Sequence, residues 1–176
     1  MKFTFNDGGR SAAGYKGTTG DCVCRAICIA AELPYQQVYD ELAKGNLTQR
    51  ASKRTPKKSK TAARGINVRR KWFQDYMKSL GFAWKPTMLI GRGCKVHLTD
   101  GELPMGRLVV SVSKHYTAVI DGVIQDTHNP SERGATIYPN GYPAHLIPKG
   151  AYKTENGNGW TYNPDRCVYG YYYKPE

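Results

Sequence analysis

No stretch of this chain approaches the roughly 18 consecutive apolar residues that a bilayer crossing requires, so no spanning helix is expected. The opening residues Met1-Lys2-Phe3-Thr4-Phe5 begin like a strand and lack the apolar core of a secretory signal. These absences predict a soluble, cytoplasmic protein without a membrane partner. Also missing is any Cys-x-x-Cys pair. The five cysteines are odd in number and irregular in spacing, Cys22-Val23-Cys24 included, which suits neither a disulfide framework nor a zinc ribbon. Reduced thiols are the expectation. There is no internal repeat and no phosphate-cradling glycine motif, Gly91-Arg92-Gly93 being too short to argue from. At 176 residues the chain reads as one domain over 1–176, long enough to bury about 70% of its unfolded surface without staples.

Acid is missing from one segment altogether. The net charge is +12, and the ten Lys and Arg residues between Arg50 and Lys71 have no Asp or Glu among them, leaving an excess of only +2 elsewhere. Ser52 to Thr61 holds almost no apolar residue, so a basic flexible insertion is expected at about 50–66. Arg50, Lys53, Arg54, Lys57, Lys58, Lys60 and Arg64 are its candidate contacts to a polyanion. The aromatics that would grip single-stranded bases are not interleaved with them.

Where chemistry is present, it begins with Lys114-His115-Tyr116-Thr117-Ala118-Val119-Ile120-Asp121-Gly122-Val123-Ile124-Gln125-Asp126-Thr127-His128. Asp121-Gly122 between β-branched residues is a two-residue turn signal, because a type I′ turn needs φ > 0 at both central positions. Pairing Ile120 with Val123 sets Thr117 opposite Asp126 and makes His115 and Asp126 diagonal neighbours on one face. A carboxylate there can accept from one ring nitrogen and leave the other free to act as a base. His128 falls on the same face. His115, Asp126 and His128 therefore also suit zinc or another transition metal, although no second carboxylate or third His is near in sequence. With a thiol available, no metal or other cofactor is required.

The thiol is Cys22. In Thr18-Thr19-Gly20-Asp21-Cys22-Val23-Cys24-Arg25-Ala26-Ile27-Cys28, polar capping residues precede Val23, Ala26, Ile27, Ala30 and Ala31 at helical spacing. A buried helix should begin near Asp21 or Cys22. In its first turn, unsatisfied amides and the positive end of the dipole favour thiolate. Cys24 and Cys28, one turn apart, read as small buried apolar residues.

A helix-borne Cys, then a strand His, then an acid on the next strand resembles the papain-like cysteine peptidases, which have that order. Gly20-Asp21-Cys22 with Arg25-Ala26 is similar to the nucleophile helix of the bacteriocin-leader peptidases of export transporters, and the His115 hairpin resembles their His strand. Thr18 to Cys22, Ala118 to Thr127 and Arg166-Cys167-Val168-Tyr169-Gly170-Tyr171 look like small bacterial and phage proteins, a likeness covering most of the chain. The resemblance implies a papain-like α+β fold and a thiol hydrolase of a peptide, isopeptide or related amide, with Cys22, His115 and Asp126 as its triad. It also implies a peptide or protein substrate and a bacterial, phage or prophage setting. Papain-like enzymes usually carry an oxyanion-donating Gln six residues before the Cys, and here Lys16 stands there. Backbone amide at Cys22 with the hydroxyls of Thr18 or Thr19 are the candidate substitutes. The rival reading, from a different class, is a catalytically inactive papain-like fold whose basic insertion binds nucleic acid or protein.

Elsewhere the pattern predicts a second helix from Tyr35 ending near Gly45, and a third capped by Asn67 and stopped by Gly81. Strands follow over Ala83 to Ile90, Arg107 to Ser113, the hairpin and Arg166 to Lys174. The α+β domain thus has N-terminal helices followed by an antiparallel β-sheet. Pro130 to Pro164, rich in Gly, Pro, Asn and Tyr, reads as a long ordered loop or irregular strands that could wall a substrate cleft.

Overall fold

The computed structural model describes residues 1–48, 61–131, 136–148, 151–154, 157–162 and 165–175. Along the chain come β1 (Lys2–Phe5), α1 (Cys22–Ala31), α2 (Tyr35–Leu47), α3 (Lys71–Ser79), β2 (Ala83–Pro86), β3 (Arg107–Val112) and β4 (His115–Ile120). There follow β5 (Val123–Asp126), β6 (Thr136–Pro139), β7 (Tyr152–Lys153), β8 (Gly159–Tyr162) and β9 (Val168–Tyr173). The architecture is α+β, with three α-helices against a six-stranded sheet ordered β1-β5-β4-β3-β9-β2. Every pairing in that sheet is antiparallel except β1 with β5. No described helix is long and apolar enough to cross a membrane.

Period-two alternation divides the apolar residues of the sheet between two cores. Val109, Ala118 and Tyr172 face the helices and pack with Ile27, Leu42, Phe73 and Met77. Leu108, Val110, Val119, Ile124 and Val168 face the other way and are covered by Leu98 and Leu103. Because α1 lies over β4 and β3, it is apolar nearly all round and buried from Val23 to Ala30.

Several boundaries differ from the sequence expectation. α2 does not stop at Gly45 but runs through it to Leu47. Gly45 is there for proximity: a Cβ on it would overlap the six-membered ring of Trp72. Gly45→Ala should therefore destabilise the protein by about 1–2 kcal/mol, against the roughly 1 kcal/mol that Gly→Ala ordinarily gains inside a helix. Chemical denaturation decides it, and a stabilised variant would contradict the packing. Asn67 does not cap α3; its side chain accepts from the Arg69 amide in a turn, and α3 starts at Lys71. β2 ends at Pro86, short of Ile90.

Residues 49–60 lie outside the described residues, and with them the polyanion candidates Arg50, Lys53, Arg54, Lys57, Lys58 and Lys60. Thr61 to Ile66, assigned by composition to the same insertion, belong instead to the folded domain. Ala62 is fully buried, Asn46 donates to the Thr61 carbonyl at 3.1 Å, and exposed Arg64 forms a parallel bridge with Gly20. Within the stretch expected to be a long ordered loop or irregular strands, β6, β7 and β8 form a second antiparallel sheet, ordered β6-β8-β7.

The expectation of five reduced thiols is overturned. Cys94 and Cys167 form a disulfide across 73 residues of sequence, with Cα atoms 5.8 Å apart. Pairing explains what spacing hid. His97 bridges Cys167 antiparallel, while the Leu98 amide donates to the Arg166 carbonyl and the Val168 amide to that of Val96, so the two segments run side by side and bring the sulfurs together. A cross-link closing a loop of that length contributes about 4 kcal/mol on the chain-entropy account. Cys22, Cys24 and Cys28 remain free thiols.

Candidate active site

The turn at Asp121-Gly122 has the left-handed conformation that its residues favour, with φ of 47° and 77°, and Ile120 pairs with Val123. That register brings His115, the first residue of β4, to Asp126, the last of β5. His115 Nε2 lies 2.7 Å from Asp126 Oδ2. The other carboxylate oxygen accepts the Thr127 amide at 2.7 Å. Cys22 opens α1, half-buried, and its thiol hydrogen-bonds His115 and receives the backbone N–H of Tyr116. Cys22, His115 and Asp126 are thus one hydrogen-bonded series.

The electrostatics follow from these contacts. Burial by itself would raise the Cys22 thiol, but the hydrogen bonds from His115 and the Tyr116 amide, with the charges of His115 and Arg25, hold it below its ordinary value. Burial by itself would depress His115; the hydrogen bonds to Asp126 and Cys22 override it and bring the imidazole to about 9. Asp126 is 2% exposed, and burial pushes its carboxyl up, yet the bond and charge of His115 and the Thr127 amide leave it below the usual carboxylate range. The stabilisation from His115 is fully present below about 6.5 and fades as pH rises through about 9. That from Asp126 is present above 3.8 and is lost as pH falls through its lowered folded value. Cys24, by contrast, is buried and its thiol is pushed up by the hydrogen bond to Cys28 and by burial.

Sequence reasoning missed what lies beneath this series. Asp21, 1% exposed, is the residue before α1, but it makes no side-chain cap. It pairs with Arg25 one helical turn on, with Arg10 at 3.0 Å and with the Tyr35 hydroxyl at 2.5 Å. Arg25 also reaches Asp126 at 3.6 Å. One buried guanidinium is therefore shared between the carboxylate under Cys22 and the carboxylate behind His115. The only signal in the sequence was an Asp-x-x-x-Arg spacing on a helix.

The oxyanion candidates fare differently. Thr19 donates its hydroxyl proton to the Ala63 carbonyl at 2.6 Å, and neither Thr18 nor Thr19 lines the cleft above Cys22. The backbone N–H of Cys22, in the first turn of α1, has no intrahelical acceptor to satisfy. His128 is exposed, its ring centroid 4.8 Å from that of His115. Ligand atoms of His115, Asp126 and His128 lie within 4.8 Å of one another, near enough to hold an ion. Both nitrogens of His115 are engaged, however, one with Asp126 and the other with Cys22. Metal binding at His115 would break one of those bonds.

Cys22 and His115 open onto a cleft of about 1120 Å³. Its lining comes from the turns before α3, from Gln74 and Lys78 of α3, from Lys114 in the turn between β3 and β4, and from β2 and its continuation with Tyr169 and Tyr172 of β9. No described residue between 130 and 164 lines it, so the wall expected from that segment comes from β2 instead. Compared with known proteins, the chain matches no family model, no curated protein and no solved structure.

Proposed function

We propose that this protein is a papain-like thiol hydrolase that cleaves a peptide, isopeptide or related amide bond. One observation carries the reading: a half-buried thiol at a helix N-terminus, an imidazole and a buried carboxylate stand in hydrogen-bonded series at a cleft. Proton placement follows from the pKa directions. The thiol is lowered and the imidazole raised to about 9, and both directions favour thiolate beside imidazolium over the neutral pair.

In the reaction, Cys22 Sγ attacks the amide carbonyl carbon, and the negative charge moves onto the carbonyl oxygen beside the Cys22 amide N–H. Collapse of that adduct breaks the C–N bond. The departing nitrogen takes the proton from the His115 nitrogen that faced the thiolate, leaving a thioester and an amine. Neutral His115 then removes a proton from water, whose oxygen attacks the thioester and returns the thiolate. Throughout, Asp126 accepts from His115 Nε2 and fixes the tautomer. A peptide or protein is the expected substrate. The disulfide withdraws the argument from reduced thiols to the cytoplasm.

Brief iodoacetamide treatment at pH 7 with mass-spectrometric mapping tests the assignment. Cys22 should carry nearly all the label, since Cys94 and Cys167 are paired and Cys24 and Cys28 are buried. The midpoint of its alkylation rate against pH should lie below 9.0, the ordinary thiol value, and His115→Ala should move that midpoint upward. Turnover of an amide should fall above about pH 9, where His115 loses the proton needed by the leaving amine. Equal labelling of Cys24 and Cys28, or an unshifted Cys22 midpoint, would defeat the nucleophile assignment and favour a binding module.

A further inference from the structure

Resting on the thiol-hydrolase reading, we infer that the cleft selects an acidic peptide segment, with carboxylate side chains flanking an apolar or aromatic residue near the amide attacked. The charges on its walls are of one sign. Arg69, Lys78 and Lys114 line it together with His115, and among the described residues no Asp or Glu does. Arg69, Lys78 and Lys114 are all exposed, and none is in an ion pair with any described residue. Three unneutralised cations around one concavity create a field that draws in negative charge and repels a basic segment.

Other lining residues supply apolar contact. Trp84 is 41% exposed, Met88 44% and Tyr169 37%, and all three line the cleft with Phe82, Pro86 and Tyr172. Gly170 between them makes room for Trp84, whose indole would overlap any Cβ placed there. Large side chains left open to water beside a reactive thiol are contact area for a substrate residue. Lys114 ties this lining to the chemistry. It directly precedes His115, in the two-residue turn that joins Val112 to its partner His115, and lines the same cleft as Cys22. Nucleic acid would answer the charges and the aromatics, but it has no amide in its backbone for the thiolate.

Binding can be separated from catalysis by using full-length Cys22→Ala. Fluorescence anisotropy should show a labelled heptapeptide with glutamates around a central phenylalanine binding at least about tenfold more tightly than its glutamine isostere. The difference should shrink in 0.5 M salt, roughly where the screening length falls to a few ångströms. Adding Arg69→Gln and Lys114→Gln should weaken the acidic peptide about tenfold and leave the isostere unchanged, with the circular dichroism of the parent retained. Equal affinity for the two peptides, indifference to the Gln substitutions, or displacement of the acidic peptide by a stoichiometric heptathymidylate would overturn the inference. Failure of Cys22 to label in the wild-type chain would overturn the hydrolase reading alone, because this binding measurement does not use the thiol.

Discussion

Asp126→Asn should lower any Cys22-dependent amide cleavage by about 10⁴-fold, whereas His128→Ala should retain at least about a tenth of it. Asp126 is buried and accepts from His115 Nε2 at 2.7 Å. An amide there can present its NH₂ to that nitrogen and turn the imidazole to the wrong tautomer, so the proton needed at the leaving amine is on the wrong side of the ring. It also removes the charge that keeps His115 near 9. His128 is exposed beside the same ring and holds neither His115 nitrogen in the series described. Steady-state turnover on one amide substrate, with and without a chelator, separates the possibilities. If His128→Ala were as damaging as His115→Ala and the chelator abolished turnover, His115, Asp126 and His128 would be metal ligands and the triad reading would fall.

The second large effect is on stability. Arg25→Met should cost about 3–5 kcal/mol, because it withdraws a buried guanidinium shared by Asp21 and Asp126 and leaves both carboxylates under-compensated. For a chain of this size that corresponds to a melting temperature lower by about 6–20 °C. Arg10 still faces Asp21, so the greater loss falls on Asp126. If Arg25 serves only the fold, the Cys22 alkylation midpoint in folded Arg25→Met will equal that of wild type; if its charge also acts on the thiol, the midpoint will move upward, as the guanidinium lowers the thiol. A loss below about 1 kcal/mol would show that the pair contributes no more than an exposed one.

What the sequence by itself determined about this protein is local. Asp121-Gly122 specified its turn because few residues accept φ > 0 at two successive positions, and one residue of register then set His115 against Asp126. The start of α1 at Cys22 was legible for a similar reason, since the helical period and the polar group before it are properties of a dozen neighbouring residues. The α+β order of helices before most of the sheet followed from the change of period near Phe82.

Tertiary structure decided the features whose partners are far apart in the chain. Gly45 signalled a helix stop until Trp72 packed against it. Cys94 and Cys167 gave no disulfide signal because their proximity comes from two strand-like segments pairing 73 residues apart. Asp21 read as a cap, yet it is drawn inward by Arg10, Arg25 and Tyr35. Residues 130–164 looked suited to wall a cleft, but β2 runs beside β9 and places Trp84 there. Periodicity and turn chemistry act over a few residues and survive in a linear reading. Burial, charge pairing and cleft composition depend on which distant segments share a volume, and that is settled only when the sheet has closed around β3, β4 and β9.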